Sequence, residues 1–222
     1  MMSAADLSAF FLTIRLALVS TFLLLLIGTP VAWWLARTQW RKKYLLEAII
    51  ALPLVLPPTV LGFYLLLLLG ANGPISALTG ESLAFSFTGL VIGSVIYSMP
   101  FVIQPLQDAF KAVGARPHEV AATLGATPLD RFISVTLPLA RPGFLTASVL
   151  GFAHTLGEFG VVLMIGGNIP GQTRVLSIAI YDHVESLDYV SAHWMAGTLL
   201  LLSFIMLASV YAINRQFRVL KL

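Results

Sequence analysis

The sequence predicts an all-α polytopic membrane protein with about five transmembrane helices, and three observations predict it. Hydrophobic residues make up 58% of the 222 and charged residues only 10%, against roughly 25% charged in a soluble domain. Mean hydropathy is +0.92. Apolar stretches long enough to span a bilayer recur at about 10–36, 44–69, 88–110, 142–165 and 194–213. With the amino terminus outside and the carboxyl terminus in the cytoplasm, 11 of the 13 basic residues fall on the cytoplasmic side, Arg15 and Arg174 being the exceptions. The basic balance therefore reflects loop location and gives no sign of nucleic-acid binding. The absence of cysteine excludes disulfides, thiolate metal sites and cysteine catalysis.

The first stretch is too long for a signal-peptide core and no basic segment precedes it, so it reads as an uncleaved span. Arg15 lies near its outer end, where the side chain snorkels to the headgroups. Arg37, Arg41, Lys42 and Lys43 then mark the cytoplasmic end, with Trp33, Trp34 and Trp40 at the interface. The second stretch contains Pro53, Pro57 and Pro58. Each removes a helical hydrogen bond, so this helix is bent or locally unwound, and the freed carbonyls need a helix interface or a water-lined cavity beside them.

The loop over 70–87 has no Lys or Arg and belongs outside. The third span, with Pro100 and Pro105, returns the chain inside near Lys111. A second outer region over 166–193 contains Asn168 and Arg174, a short helix through Tyr181, and the acids Asp182, Glu185 and Asp188. The last span delivers Arg215, Arg218 and Lys221 to the cytoplasm. All 222 residues form a single transmembrane domain.

Between the third and fourth spans, 116–138 reads as two short helices. Pro117 suits a helix start, Glu119 places a carboxylate in the first turn, and Gly125 suits the left-handed position that ends a helix. Thr127 offers a second N-cap, with Asp130 as a weak reciprocal capping residue, and Leu129, Phe132, Ile133 and Leu137 make one apolar stripe. Helices this short need external support. Ala121 and Ala122 permit a close approach, and Val120 and Leu124 supply a small apolar face. The segment is either a connector packed on its own protein or a docking site for another subunit.

Here Glu119, Ala121, Gly125, Val135, Leu137 and Pro138 resemble the cytoplasmic loop signature of ABC importer permeases. In that signature Glu-Ala-Ala is followed after three residues by Gly and after nine more by Ile-x-Leu-Pro. Val120 and Val135 depart from it, both with apolar side chains. The resemblance implies the type I importer permease architecture, and that Glu119, Val120, Ala121, Ala122, Leu124 and Gly125 couple the chain to an ATPase subunit.

The chain has no Gly-x-x-x-x-Gly-Lys-Ser/Thr loop, no Gly-x-Ser-x-Gly elbow and no His-Glu-x-x-His pair, so it is expected not to be an enzyme, and no catalytic or metal site is assigned. Glu158 is the only acid in a span interior, with His154 one helical turn earlier on the same face. Three readings stand: a structural hydrogen-bonded pair, a proton relay, or a polar group at a permeation route or gate.

The run 52–58, together with 156–160 and 167–174, is similar to the molybdate-type branch of the oxyanion importers, with sulfate permeases related at the Gly-Glu-aromatic-Gly piece and the cytoplasmic loop. Relatives commonly carry Arg where this chain has His154. The resemblance implies a permease for molybdate, with tungstate not separable, that works as a homodimer in the cell inner membrane. It implies two copies of a nucleotide-binding subunit, an outer oxyanion-binding protein near Asn168 and Arg174, and a pathway or gate at Pro57, Pro58, His154 and Glu158. No cofactor is expected in this chain, since ATP and Mg belong to the ATPase partner. A sulfate or thiosulfate permease is the alternative. A secondary transporter would show inverted repeats, and the two halves show no convincing self-similarity.

Overall fold

The computed structural model describes residues 3–219, with side chains through 212. Among these residues there is no strand. The basic residues expected to follow the last span, Arg215, Arg218 and Lys221, lie outside the described side chains.

Helix α1 (Ala4–Arg37) begins at a reciprocal cap in which Ser3 Oγ accepts from the Asp6 amide and the Asp6 carboxylate accepts from the Ser3 amide. It therefore starts six residues before the expected 10, because Ser3 and Asp6 satisfy the first free amides. Arg15 lies with its guanidinium 4.4 Å from the centroid of the Phe87 ring, at the start of α5, so the first turns of α1 extend past the start of that helix.

The expected second span is divided. α2 (Lys43–Ala51) runs into a single 3-10 turn at Leu52–Leu54, the chain extends at Pro57, and α3 (Pro58–Leu69) starts afresh. The prolines unwind the helix as their chemistry requires. The outer loop holds α4 (Pro74–Thr79), and α5 (Phe87–Val113) continues through Pro100 and Pro105.

The cytoplasmic segment opens with α6 (Arg116–Thr123), and Gly125 follows at φ +83°. α7 (Pro128–Arg131) is capped by Thr127 Oγ1, but Asp130 does not complete the reciprocal cap; its carboxylate accepts the Ser134 hydroxyl at 2.8 Å. The helix then widens into a π turn over Phe132–Thr136 before α8 (Leu137–Leu139). The bend from this stretch into α9 (Arg141–Leu156) is 70°.

The apolar run 142–165 is not one helix. α9 ends at Leu156, the chain breaks across Gly157-Glu158-Phe159, and α10 (Gly160–Gly166) resumes. α11 (Leu176–Glu185) docks its amino end on α1, where the Leu176 amide donates to Thr13 Oγ1 at 2.7 Å, and α12 (Tyr189–Val219) crosses last. α1, α5 and α9 form the packed centre, α10 lies against α3 and α5, and α12 touches only α9 and α11 among its main partners.

By length and composition, four segments are able to cross a membrane, Ala4–Arg37, Pro58–Thr79, Phe87–Val113 and Tyr189–Ala212, and the bent Pro128–Leu139/Arg141–Leu156 pair makes a fifth. The core divides along the membrane normal. An outer cluster gathers Leu16, Leu65, Leu90, Val161 and Ile165, and an inner one gathers Leu24, Leu35, Val102, Leu106 and Phe110.

Candidate functional site

Two helix breaks face each other. Pro57 and Pro58 cannot donate amide hydrogen bonds, so α3 starts at Pro58, and the Pro57 carbonyl accepts from Val60 and Leu61. Opposite, the break after α9 leads to Gly160, where a Cβ would come within 2.9 Å of the Pro58 Cβ; only glycine lets α10 approach α3 this closely. Between the breaks lies a cavity of about 540 Å³ lined by Pro58, Thr59, Tyr97, His154, Glu158 and neighbouring backbone. Pro57 sets the start of α3 but does not line it.

Glu158 is not on a helix with His154, as the sequence reading supposed. It sits in the break, and the two still come together, His154 Nδ1 lying 3.7 Å from Oε1. The carboxylate is 97% buried and accepts from Ser94 Oγ at 2.5 Å and Ser98 Oγ at 2.8 Å. Ser98 also meets His154 Nδ1 at 2.8 Å and Thr155 Oγ1 at 3.1 Å. Ser177 at the start of α11 donates to the Glu158 carbonyl. The imidazole stacks on Phe101 at 3.9 Å and lies 4.7 Å from the Tyr97 ring.

Depth follows from α5. Ser94 and Ser98 lie seven and eleven residues beyond Phe87, roughly 10 and 16 Å along the helix. That is near the middle of a hydrocarbon layer about 30 Å thick. A carboxylate at this depth requires compensation, and two hydroxyl donors supply it. Sequence reading missed Ser94, Ser98 and Ser177. The available signal was two serines spaced i, i+4 on an apolar helix, which marks one face of α5.

The cytoplasmic segment has the opposite construction. Its inner side is seated on aromatics: Trp33 packs against Phe110, Phe132 and His118 with ring centroids 5.3, 5.1 and 5.7 Å away, and Arg37 lies 4.3 Å over it. His118 is buried and shares a hydrogen bond with Thr136 Oγ1 at 3.2 Å. Burial first, then Arg37 and Arg131, hold its imidazole below the ordinary value. This anchor too was missed, because a lone histidine beside a glutamate carries no pattern.

The outer side of the segment is apolar and open. Val120 is 60%, Leu124 82% and Leu129 68% exposed, with Ile133 beside them. Glu119 and Ala122 are exposed and Ala121 is half-buried.

Asn168 and Arg174 converge on Asp182, at 2.7 and 3.0 Å, which ties the loop before α11 onto that helix. His183 bridges Asp6 and Asp188 at 3.0 and 3.4 Å, joining α1 to the start of α12. Among the described residues no group of three or more His, Asp or Glu side chains is placed to hold a metal ion.

Comparison with known proteins bears on both regions. Residues 28–219 match the family described as "Binding-protein-dependent transport system inner membrane component". The chain is 59% identical over 221 residues to the molybdenum transport system permease protein ModB of Azotobacter vinelandii, covering 98% of this chain and 97% of the relative. It is 34% identical over 201 residues, 89% of this chain and 70% of the relative, to a probable sulfate transport system permease protein cysT of Anthoceros angustus. Among solved structures, an inward-facing MetNI methionine ABC transporter superposes with a TM-score of 0.71 at 20% identity, covering 97% of this chain and 99% of that one.

Proposed function

The chain belongs to the inner-membrane components of binding-protein-dependent transport systems, and from that premise we propose that it is the permease subunit of an ATP-driven importer of molybdate. The 59% identity to a molybdenum permease along nearly the whole of both chains supports the substrate. Tungstate has the same charge and shape and is expected to pass as well.

The coupling role rests on one observation: the 116–138 segment is braced on Trp33 from within and offers Val120, Leu124 and Leu129 to water from without. Exposed apolar side chains on a fixed support suit a protein partner. That partner is an ATPase subunit, since this chain has no phosphate-binding loop. Two such subunits, two copies of this chain and an outer oxyanion-binding protein complete the proposed assembly. ATP and Mg reside in the ATPase partner. The facing breaks at Pro58 and Glu158 form the polar stage of the route, because a dianion does not enter hydrocarbon unpaired. A sulfate permease is the second reading, favoured by the sulfate relative.

The proposed orientation has the amino terminus outside. Cysteines placed singly at Ser76 and Ser186 of this cysteine-free chain are expected to react with an impermeant thiol reagent from the outer face of intact cells. Function is tested by reconstituting the permease with its ATPase subunit in vesicles, adding binding protein loaded with molybdate or with sulfate, and following both uptake and ATP hydrolysis. Molybdate uptake that requires ATP, ATPase subunit and binding protein together is the expected result. Sulfate uptake in preference to molybdate would favour the second reading, and uptake without ATP would contradict both.

A further inference from the structure

On the transport reading above, the arrangement of protons around Ser98 assigns a role to one nitrogen of His154. Ser98 has a single hydroxyl proton and three polar neighbours: Glu158 Oε1, His154 Nδ1 and Thr155 Oγ1. Thr155 directs its own proton to the Gly151 carbonyl at 3.1 Å. A carboxylate only accepts, and the second oxygen of Glu158 already takes the Ser94 proton. With Glu158 ionised, the Ser98 proton goes to Glu158 and Nδ1 is the donor to Ser98. In the neutral ring this leaves Nε2 as a bare acceptor.

Nε2 has no hydrogen-bond partner among the described residues, and His154 lines the cavity. The ring is bounded elsewhere by the Phe101 face at 3.9 Å, the Tyr97 ring at 4.7 Å and the Glu158 carboxylate at 3.7 Å from Nδ1. The titratable groups facing the ring are Tyr97 from α5 and Glu158 from the break. α3 contributes Pro58 and Thr59, without charge, and no Lys or Arg lines the cavity. His154 is thus the one side chain of the lining able to become positive.

We propose that Nε2 of His154 receives the tetrahedral dianion in the cavity, the imidazole taking up one proton from hydronium there as the dianion arrives and returning it to water as the dianion leaves. A bond from Nε2 to hydrogen forms on arrival and breaks on departure, the proton coming from hydronium and returning to water. Without that proton Nε2 presents a lone pair, which repels an anion; with it, the ring presents a charged donor to an anion oxygen. Ser98 and Glu158 are positioning residues that keep Nε2 turned to the cavity.

Two substitutions separate this from a structural role. Asparagine places its amide nitrogen near Nδ1 and keeps the Ser98 bond, whereas glutamine places a nitrogen near Nε2 and keeps a donor toward the cavity. Uptake of labelled molybdate by vesicles holding the full complex is measured from about pH 6 to about pH 8.5, with recovery of intact complex measured alongside. Wild-type uptake is expected to fall as pH rises, approaching about tenfold per unit as for a single proton. His154→Gln is expected to transport with that component gone, and His154→Asn to lie at least about tenfold below wild type throughout. Parallel pH profiles for wild type and His154→Gln would overturn the proposal, as would wild-type uptake by His154→Asn. If either complex fails to assemble, the other variant still decides. A wild-type complex that hydrolyses ATP yet moves no molybdate would overturn the transport reading and this inference with it.

Discussion

The two regions proposed to carry function are built in opposite senses, each against its own surroundings. At mid-membrane, where the surroundings are hydrocarbon, Glu158 places a carboxylate and surrounds it with Ser94, Ser98 and His154. In the 116–138 segment, outside the membrane-spanning helices, Val120, Leu124 and Leu129 stand exposed on a stretch held by Trp33 and His118. In the first case every acceptor oxygen of the carboxylate has a donor, so the site is complete within this chain apart from the open side of His154. In the second the apolar side chains stand open among the described residues, and the proposed ATPase subunit would cover them. In both a side chain stands at odds with its surroundings, and whether it is satisfied internally is what separates the proposed passage from the proposed docking face.

The comparison breaks most sharply at Glu158. Removing the carboxylate in Glu158→Ala strands the Ser94 hydroxyl, at about 1–3 kcal/mol for a buried group left without a partner, and leaves Ser98 only His154 and Thr155. The expected outcome is a lower thermal midpoint for the purified permease, followed by loss of helical signal, together with abolished uptake. Leu124→Asp is the counterpart. At an 82% exposed position the isolated permease is expected to change by no more than about 0.5 kcal/mol, while recovery of the ATPase subunit on copurification falls at least about tenfold.

Gly125→Val lies between these two. At φ +83° a side chain is disfavoured by about 1–2 kcal/mol even with no atom near the new Cβ, so the cost is conformational and the direction of α7 changes. Reduced ATPase subunit binding with normal membrane insertion is the expected result, read from membrane fractions and copurification.

The smallest effect concerns the seat of the segment. His118 sits below the ordinary imidazole value of about 6.5, so its neutral form is favoured in the folded state. Its contribution to stability is full above that value and is lost as pH falls through the depressed one. Mild acidification is therefore expected to loosen the segment, seen as faster amide exchange over 116–124, and His118→Gln is expected to flatten the dependence.

Much of this arrangement is legible in the sequence for reasons that differ by element. Prolines are local instructions, so Pro53, Pro57 and Pro58 announce the break before α3 without tertiary information. Gly125 and Thr127 likewise mark a helix end and a helix start that the structure contains. The break at 157–159 is different. Gly157 and Gly160 permit it, but Glu158 is drawn out of the helix by partners on α5 and α11, and that pull is tertiary. The π turn over Phe132–Thr136 is equally silent, since it accompanies the packing of Phe132 on Trp33 and of Thr136 on His118. Serines in membrane helices often bond back to their own helix, as Ser148 does to Phe144 here, so nothing in composition distinguished Ser94 and Ser98 from that use.

The division of labour between the two regions is tested most directly by one ratio, the rate of labelled molybdate uptake per ATPase subunit retained in reconstituted vesicles. In Glu158→Gln, where the subunit stays bound and the passage is damaged, the ratio is expected to fall by at least about tenfold. In Leu124→Asp, transport is expected to drop in proportion to the subunit lost, so the ratio stays near the wild-type value. Equal falls in both variants, or an unchanged ratio in Glu158→Gln, would contradict the assignment of passage to the paired breaks and of coupling to the cytoplasmic face.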